Sequence, residues 1–552
     1  MKAKVIVCSV LAFAVVAAIV VAVVAGTGGG AADAVARLLP ADTMLYVRAV
    51  NPGNSFEQLS AWPGIKDVGV SQQLQRMEND FFGEISSELE ISKEQLLDLR
   101  DSIRALHVAV LSIDRNGVPN VLCVAELARP NEVKEMMPRV MQTASKHDGD
   151  NVREMSVEGV TVYRLAREAS FALSGNMLVF GTNESALAGF LAACKKKPEQ
   201  TLADLATFKS LSSRYSGYDL FAFAEGTRGW RMIRSMTRGR DLREFEQVDS
   251  AFRFSDVKAA AIGSKLTTRT DDVATELTVL VDDTNPTRQA FKGTPINFAK
   301  TLKGMPQDAF LGILADSSDV TDNWQKFRGL VRQVDDDLDR EVERMRQKGY
   351  DLDDLFGSFD RSFGLYFVLP QPEGQYRKDP SVVMVASVRE QAAAQKVFEA
   401  MSREVEAGVQ KVGGFTVASR RYEATAVGPG YFMFGGNGDS ALRAAIESLE
   451  GRTKADPELL RLFNKIGGKT ATKALFLDPR ALGSVEREFE PIAAMVQPGF
   501  RCIVTLHEEK NAIHLRSNVP IATLAGALWL MVYIHQPQRP IPVRPPSGRA
   551  EW

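Results

Sequence analysis

Apolar and polar positions repeat through this chain in short runs of period two that give way to runs of period 3.6, and one such arrangement occurs twice. Ala169 to Cys194 reads as two short strands that feed a helix, and Thr425 to Leu449 reads the same way. In each, a Phe-Gly pair (Phe180-Gly181, Phe434-Gly435) ends the second strand, an asparagine (Asn183, Asn437) stands in the connection, and Ser-Ala-Leu opens the helix. A side-chain oxygen in such a connection can accept from the unpaired N–H groups of the first helical turn. Leu187, Phe190, Leu191 and Cys194 recur at i, i+3, i+4 and i+7, a single buried stripe.

The flanking pattern predicts a strand within Leu39–Asn51, a helix over Ser71–Leu89 and a shorter helix opened by a Ser92/Gln95 capping box. A hairpin of His107–Ile113 with Val118–Leu127 follows, turned at Asn116-Gly117, the dipeptide that suits a two-residue hairpin. Helices are expected at Asn131–Ala144 with Pro138 inside, at Phe208–Tyr215 and at Gly229–Phe245; strands at Gly159–Leu165 and Asp219–Ala224; and a hairpin of Val257–Leu266 with Ala274–Asp282. The order then recurs. Gly304–Ala315 echoes the strand after Leu39, and Tyr350–Leu369 aligns without a gap on Ile91–Val110, setting Leu355 on Leu96 and Asp360 on Asp101. Lys473–Asp478, Arg501–His507 and Ala512–Asn518 match the closing strands.

Hairpins mixed with helices, without a regular βαβ run, point to an α+β fold: two tandem repeats of antiparallel sheet with helices packed on one face. A repeat of this length indicates duplicated domains rather than a solenoid. The expected divisions are an N-terminal stub, apolar helix and Gly-rich linker (1–37), repeat one (38–284), a linker rich in Pro and Gly (285–300), repeat two (301–520), an apolar segment (521–535) and a Pro-rich tail (536–552).

Val5 to Ala25 is an unbroken run of apolar and small residues, long enough to cross a bilayer as a helix. Its length favours an uncleaved anchor over a signal peptide, whose apolar region is shorter; cleavage after Ala25 or Ala36 is the alternative. Lys2 and Lys4 precede it and place the N-terminus in the cytoplasm, with the body outside. Ile521–Ile534 is short for a span, so it either inserts, lies on the membrane surface or packs on the body.

Leu39-Pro-Ala-Asp-Thr43 before a strand, the run from Asp351 to Leu369, and the FG-x-N-x(1,2)-SAL hairpin and helix resemble an uncharacterised family of exported bacterial envelope proteins, a domain of unknown function. The resemblance implies a periplasmic or cell-surface location and a fold type. It brings no catalytic residues.

Composition narrows the function classes. At 552 residues with 45% hydrophobic and 25% charged residues, the chain is an ordinary globular protein long enough for two domains. A net charge of -2 lacks the basic footprint of nucleic-acid binding. Lys195-Lys196-Lys197 reads as a helix end favoured by the macrodipole. Cys123, Cys194 and Cys502 have no zinc-type spacing and read as small buried hydrophobes.

No complete catalytic motif is present. Gly467-Gly468-Lys469-Thr470 has the end of a phosphate loop, but Phe463 stands where its first glycine belongs. His507-Glu508 begins like a zinc-protease helix, but Asn511 replaces the second histidine; His507 and His514 read as exposed or half-buried hairpin residues. Asp351, Asp353 and Asp354 lack the calcium-loop glycine and read as helix N-terminal charge, Asp335–Asp337 as a solvated face. Arg228, Arg231, Arg234, Arg238, Arg240 and Arg243 are a solvent face or, alternatively, a surface for anionic lipid or polymer. No catalytic, cofactor or metal residue is nominated. The expectation is a membrane-anchored binding or scaffold protein of the envelope, not an enzyme, held in the membrane by Val5–Ala25 and meeting an envelope protein or ligand. A hydrolase with a site assembled from distant residues, or a carrier of an apolar ligand, are the alternatives.

Overall fold

The computed structural model describes residues 34–520, apart from most of 53–90, parts of 237–252 and 317–336, the short stretches 114–117, 149–151, 166–168, 268–271, 370–379, 405–407 and 453–455, residue 350, and 486–500. The expected anchor at Val5–Ala25, the Ser71–Leu89 helix, the Asn116-Gly117 turn and the C-terminal apolar segment and tail lie wholly or largely outside the described residues.

The first half contains β1 (Leu45–Val50), α1 (Lys93–Ser102), β2 (Ile103–Ile113), β3 (Pro119–Leu127), α2 (Pro130–Asp148), β4 (Val152–Val157), β5 (Val160–Leu165), β6 (Ala169–Ser174), β7 (Met177–Gly181), α3 (Glu184–Lys195), α4 (Ala206–Arg214), β8 (Leu220–Glu225), α5 (Gly226–Met236), β9 (Ala259–Thr267) and β10 (Asp272–Leu280). After α6 (Pro286–Phe291) and α7 (Phe298–Thr301) come β11 (Ala309–Ala315), α8 (Asp337–Gln347), α9 (Leu352–Ser358), β12 (Phe359–Val368), β13 (Ser381–Val388), α10 (Gln391–Glu404), β14 (Gly408–Val412), β15 (Phe415–Ser419), β16 (Glu423–Gly428), β17 (Tyr431–Gly436), α11 (Ser440–Leu449), α12 (Pro457–Gly467), β18 (Ala471–Leu477), α13 (Pro479–Val485), β19 (Cys502–Glu509) and β20 (Ala512–Pro520).

All twenty strands join one antiparallel sheet. The first half runs β4-β5-β6-β7-β3-β2-β1-β8-β9-β10. The second runs β14-β15-β16-β17-β13-β12-β11-β18-β19-β20, the same order. The last strands of the two halves, β10 and β20, pair with each other over Asp272–Leu280 and Ala512–Pro520.

The registers also match. Tyr46 faces Ala109 and Phe223; Gly312 faces Tyr366 and Phe476. Phe223 faces Ala261, which faces Thr278, while Phe476 faces Ile503, which faces Asn518. Thr278 and Asn518 therefore hold equivalent places. Across the junction Thr278 faces His514, Asn518 faces Ala274, and Glu276 faces Arg516 midway, so a local two-fold axis passes through the Glu276–Arg516 pair.

The gapless alignment of Tyr350–Leu369 on Ile91–Val110 is corrected by three residues in the helix and by two in the strand after it. Ser102 and Ser358 each end a helix, their hydroxyls donate back to Leu99 and Leu355 respectively, and their carbonyls accept from the backbone N–H that follows the second strand after the helix, Ala128 after β3 or Arg389 after β13. Leu355 thus stands on Leu99, not Leu96. A slip of three residues is nearly one helical turn, so it leaves the apolar stripe almost unchanged. A larger bulge between Phe359 and Phe363 takes up the slack.

Helices cover both faces of the outer sheet, not one. On one face Leu187, Phe190 and Leu191 of α3 and Phe208 and Leu211 of α4 pack with Val124, Ala172 and Val179. On the other, Val133 and Met137 of α2 pack with the alternate residues Ala125 and Phe171. The second half repeats this, with α11 and α12 against Val385 and Met433 and α10 against Ala386 and Phe432. Apolar residues at successive positions, as in Val121–Ala125, bury a strand on both sides. Each fully buried Leu or Phe contributes roughly 1.5–3 kcal/mol.

The stretch expected as a linker is packed. Asn285 caps α6, and Arg288 on that helix is 5% exposed, donates to the Glu509 carbonyl at 2.8 Å and pairs with Glu508 and Asp283.

Candidate functional site

The helix-bearing face of the β10–β20 junction gathers titratable side chains from both halves. Alternation places Glu276 and Thr278 of β10, His514 and Arg516 of β20, and Thr505, His507 and Glu509 of β19 on this one face. α4 ends above them with Arg214, and Tyr215 and Tyr218 follow in the turn. Gly263 on β9 lies under Tyr215, where a β-carbon would stand 2.3 Å from the ring, so only glycine admits the tyrosine.

Glu276, 7% exposed, is the hub. One carboxylate oxygen accepts from Arg214 Nε at 2.9 Å and from its terminal nitrogen at 2.5 Å; the other accepts from Tyr218 at 3.1 Å. Arg516 Nε lies 3.7 Å away and Arg214 reaches Glu509 at 3.3 Å. Tyr215 and Thr278 hydroxyls are 2.6 Å apart, and Thr278 meets His514 Nδ1 at 2.9 Å. His514 Nε2 is 3.2 Å from a Glu509 oxygen, without hydrogen-bond geometry. His507 lies between two hydroxyls, Thr470 at 3.0 Å on Nδ1 and Thr505 at 2.9 Å on Nε2.

Burial sets the titration. It pushes His507 down to about 4, with Arg516 and His514 adding to the depression, and pushes His514 below its usual value with Arg214 assisting. Tyr218 is pushed up to about 12 by burial and by Glu276. Glu509 sits below the usual carboxylate range: burial opposes this, and Arg214, His514 and Arg516 outweigh it. Both imidazoles are therefore neutral beside the ionised Glu509 carboxylate at neutral pH.

A second polar group lies within the first half. Tyr46 Oη lies at hydrogen-bond distance, 2.8 Å, from His107 Nδ1, and His107 Nε2 donates to the Glu126 carboxylate at 3.0 Å. Arg48, 2% exposed, lies over the Phe221 ring, 5.6 Å from its centroid.

The sequence motifs fall elsewhere or dissolve. Gly467-Gly468-Lys469-Thr470 runs from the end of a helix into a strand, the reverse of a phosphate loop, and Thr470 serves His507. His507-Glu508 lies on β19, and Asn511, with φ 62°, makes its hairpin turn. His507 and His514 are each 1% exposed rather than exposed or half-buried, because α12 packs on β19 and β20 and Tyr215 and Thr278 of the other half close over His514. Asp351 caps α9 and Asp353 holds Arg328 and Trp324. Lys195 ends α3. Cys502 is buried, Cys123 and Cys194 are half-buried, and all three are free thiols. Among the six arginines from Arg228 to Arg243, Arg228 holds the Ala41 carbonyl and Arg234 pairs with Glu246; Arg238 and Arg240 lie outside the described residues. A shallow cavity of about 370 Å³ on α8 is lined by Asp339, Arg340, Glu343, Arg344 and Gln347.

No spacing in the sequence announced the junction, since its members come from residues 214 to 516. Among the described residues no helix is long and apolar enough to cross a membrane. No family model and no curated protein matches the chain. Among solved structures it is similar to "Structure of crystal form I of TP0453", at 10% identity over 45% of this chain and 79% of that chain, with a TM-score of 0.25. A likeness of that size supports neither a fold assignment nor a function.

Proposed function

We propose that the protein is a membrane-anchored scaffold or binding protein of the bacterial cell envelope, a duplicated α+β body held outside the cytoplasm by Val5–Ala25. The observation that carries this reading is the twice-used strand order fused into one sheet by β10 and β20. The two equivalent outer strands, β4 and β14, stand at opposite ends of the strand order, which suits holding two partners at separate edges. At the junction Thr278 meets His514 and Arg214 meets Glu509 across the halves, so these polar side chains serve the joining of the two. The test is fractionation followed by capture. An alkaline wash should leave the full-length chain in the membrane pellet, and pull-down from mildly solubilised envelope should recover a stoichiometric partner. Quantitative release by the wash overturns the anchor; no partner across several mild detergents overturns the scaffold.

The hydrolase reading finds its convergent acids and histidines at the junction. It also requires substrate at a ring nitrogen, and both rings are 1% exposed beneath packed helices and strands. Turnover of ester or phosphoester substrates that is lost in His514→Gln and His507→Gln would favour it over the scaffold.

A further inference from the structure

The junction has a property that the scaffold role does not require. Among the described strand pairings, β10–β20 is the one that joins the halves, and its helix-bearing face carries two buried neutral imidazoles. We propose that this junction is an acid-sensitive joint: protonation of His514, which meets Thr278 across the pairing, with His507 facing it on β19 adding charge beside it, loosens the β10–β20 pairing and lets the halves part, while each keeps its own sheet and helices.

The charges that face these rings can be counted by element. α4 and the turn after it supply Arg214, Tyr215 and Tyr218; β10 supplies Glu276; β19 supplies Glu509; β20 supplies Arg516. Thr278, Thr505 and Thr470 are the neutral partners, and Lys265 on β9 and Lys469 before β18 are exposed. Two guanidiniums balance two carboxylates. Two added protons leave a surplus of two positive charges in a buried place, where such a surplus is costly. A protonated His507 must also donate from both nitrogens, so neither Thr470 nor Thr505 can any longer donate to it.

The sign follows from the depressed values. A histidine held below its unfolded value binds fewer protons folded than open, so acid favours the open state. The stability that these rings give the joint is fully present above the ordinary histidine value of 6.5 and is lost as the pH falls through their lowered values. Of the outer strands, β2 of the first half carries one buried imidazole, His107 beside Glu126, whereas at the equivalent of Arg48 and His107 the second half has Leu314 and Gly364, so β12 and β13 are the reference without a histidine.

Hydrogen exchange of the full chain, corrected for the intrinsic pH dependence of exchange, tests this at about pH 7.5 and about pH 5. Segments from β9–β10 and β19–β20 should lose at least about tenfold more protection at the lower pH than segments from β12–β13 and β15–β16, which carry no histidine. A His507→Gln, His514→Gln double variant, with neutral amides in reach of the same hydroxyls, should remove most of that difference. Junction segments that track the outer strands overturn the proposal, as does a folded double variant that keeps the full pH effect. If the double variant does not fold, the wild-type comparison decides alone.

Discussion

Tyr46 and Tyr366 fill equivalent space in the two halves from opposite members of one cross-strand pair. In the first half the ring comes from β1 and faces Ala109 on β2; in the second it comes from β12 and faces Gly312 on β11. Both rings are fully buried. The phenol then finds a different partner, His107 Nδ1 at 2.8 Å in one half and the Thr301 carbonyl at 3.0 Å in the other. The same frame thus accepts an aromatic from either side provided the facing residue shrinks, since total volume is what a packed core conserves. The polar consequence is not conserved. His107, Glu126 and Arg48 form a buried polar group in the first half, and Gly364 and Leu314 replace His107 and Arg48 in the second.

The strongest way to break the comparison is Gly312→Tyr. A β-carbon there would lie 2.2 Å from the Phe476 ring, so the second half should lose upwards of about 3 kcal/mol, read by denaturant unfolding. Adding Tyr366→Ala recreates the arrangement of the first half, and the pair should recover at least about 0.5 kcal/mol relative to the sum of the single changes. Strict additivity would mean that the two tyrosines do not share one site.

Tyr46→Ala and Tyr366→Ala should each cost about 3–5 kcal/mol, and by similar amounts, because each empties the same volume. A difference larger than about 2 kcal/mol in thermal unfolding would show that one half tolerates the cavity by collapsing into it.

Removing only the hydroxyl sharpens the contrast. Tyr46→Phe strands a buried His107 nitrogen and should cost about 1–3 kcal/mol, while Tyr366→Phe leaves a backbone carbonyl and should cost about 1 kcal/mol. Glu126 adds a pH signature. The hydrogen bond from His107 holds its carboxyl below the usual range against the opposing effect of burial, so its stabilisation is present above the ordinary carboxylate value and lost as pH falls through the folded one. Glu126→Gln should flatten the acid limb of a stability–pH curve below about pH 4.5.

The smallest effect concerns the helix that follows each repeated hairpin. Asn183 caps α3 by accepting from Ser185 N–H at 2.8 Å, whereas Asp439 makes no side-chain cap on α11 and instead pairs with Arg443. Asn183→Ala should cost about 1 kcal/mol and Asp439→Ala a few tenths, resolvable as a shift in denaturation midpoint.

Local chemistry made several elements legible. Ser92 and Gln95 form the capping box their spacing announced, and Leu187, Phe190 and Leu191 are buried as their period requires. Asn437 is in the connection as expected, but in the left-handed region with φ 63° rather than as a cap. Two strands went unread, β4 (Val152–Val157) and β14 (Gly408–Val412), the outermost strands of the sheet. Edge strands bury little, so their sequences carry little alternation to read.

What the chain determined alone was whatever neighbours within a few residues settle: the caps, the stripes, the hairpins and the order in which they recur. The tertiary structure alone decided that helices cover both faces, that β10 joins β20, and hence that His507, His514 and Glu276 lie buried together. The last two depend on strands more than two hundred residues apart meeting edge to edge. Burial follows from that meeting, and no local spacing records it.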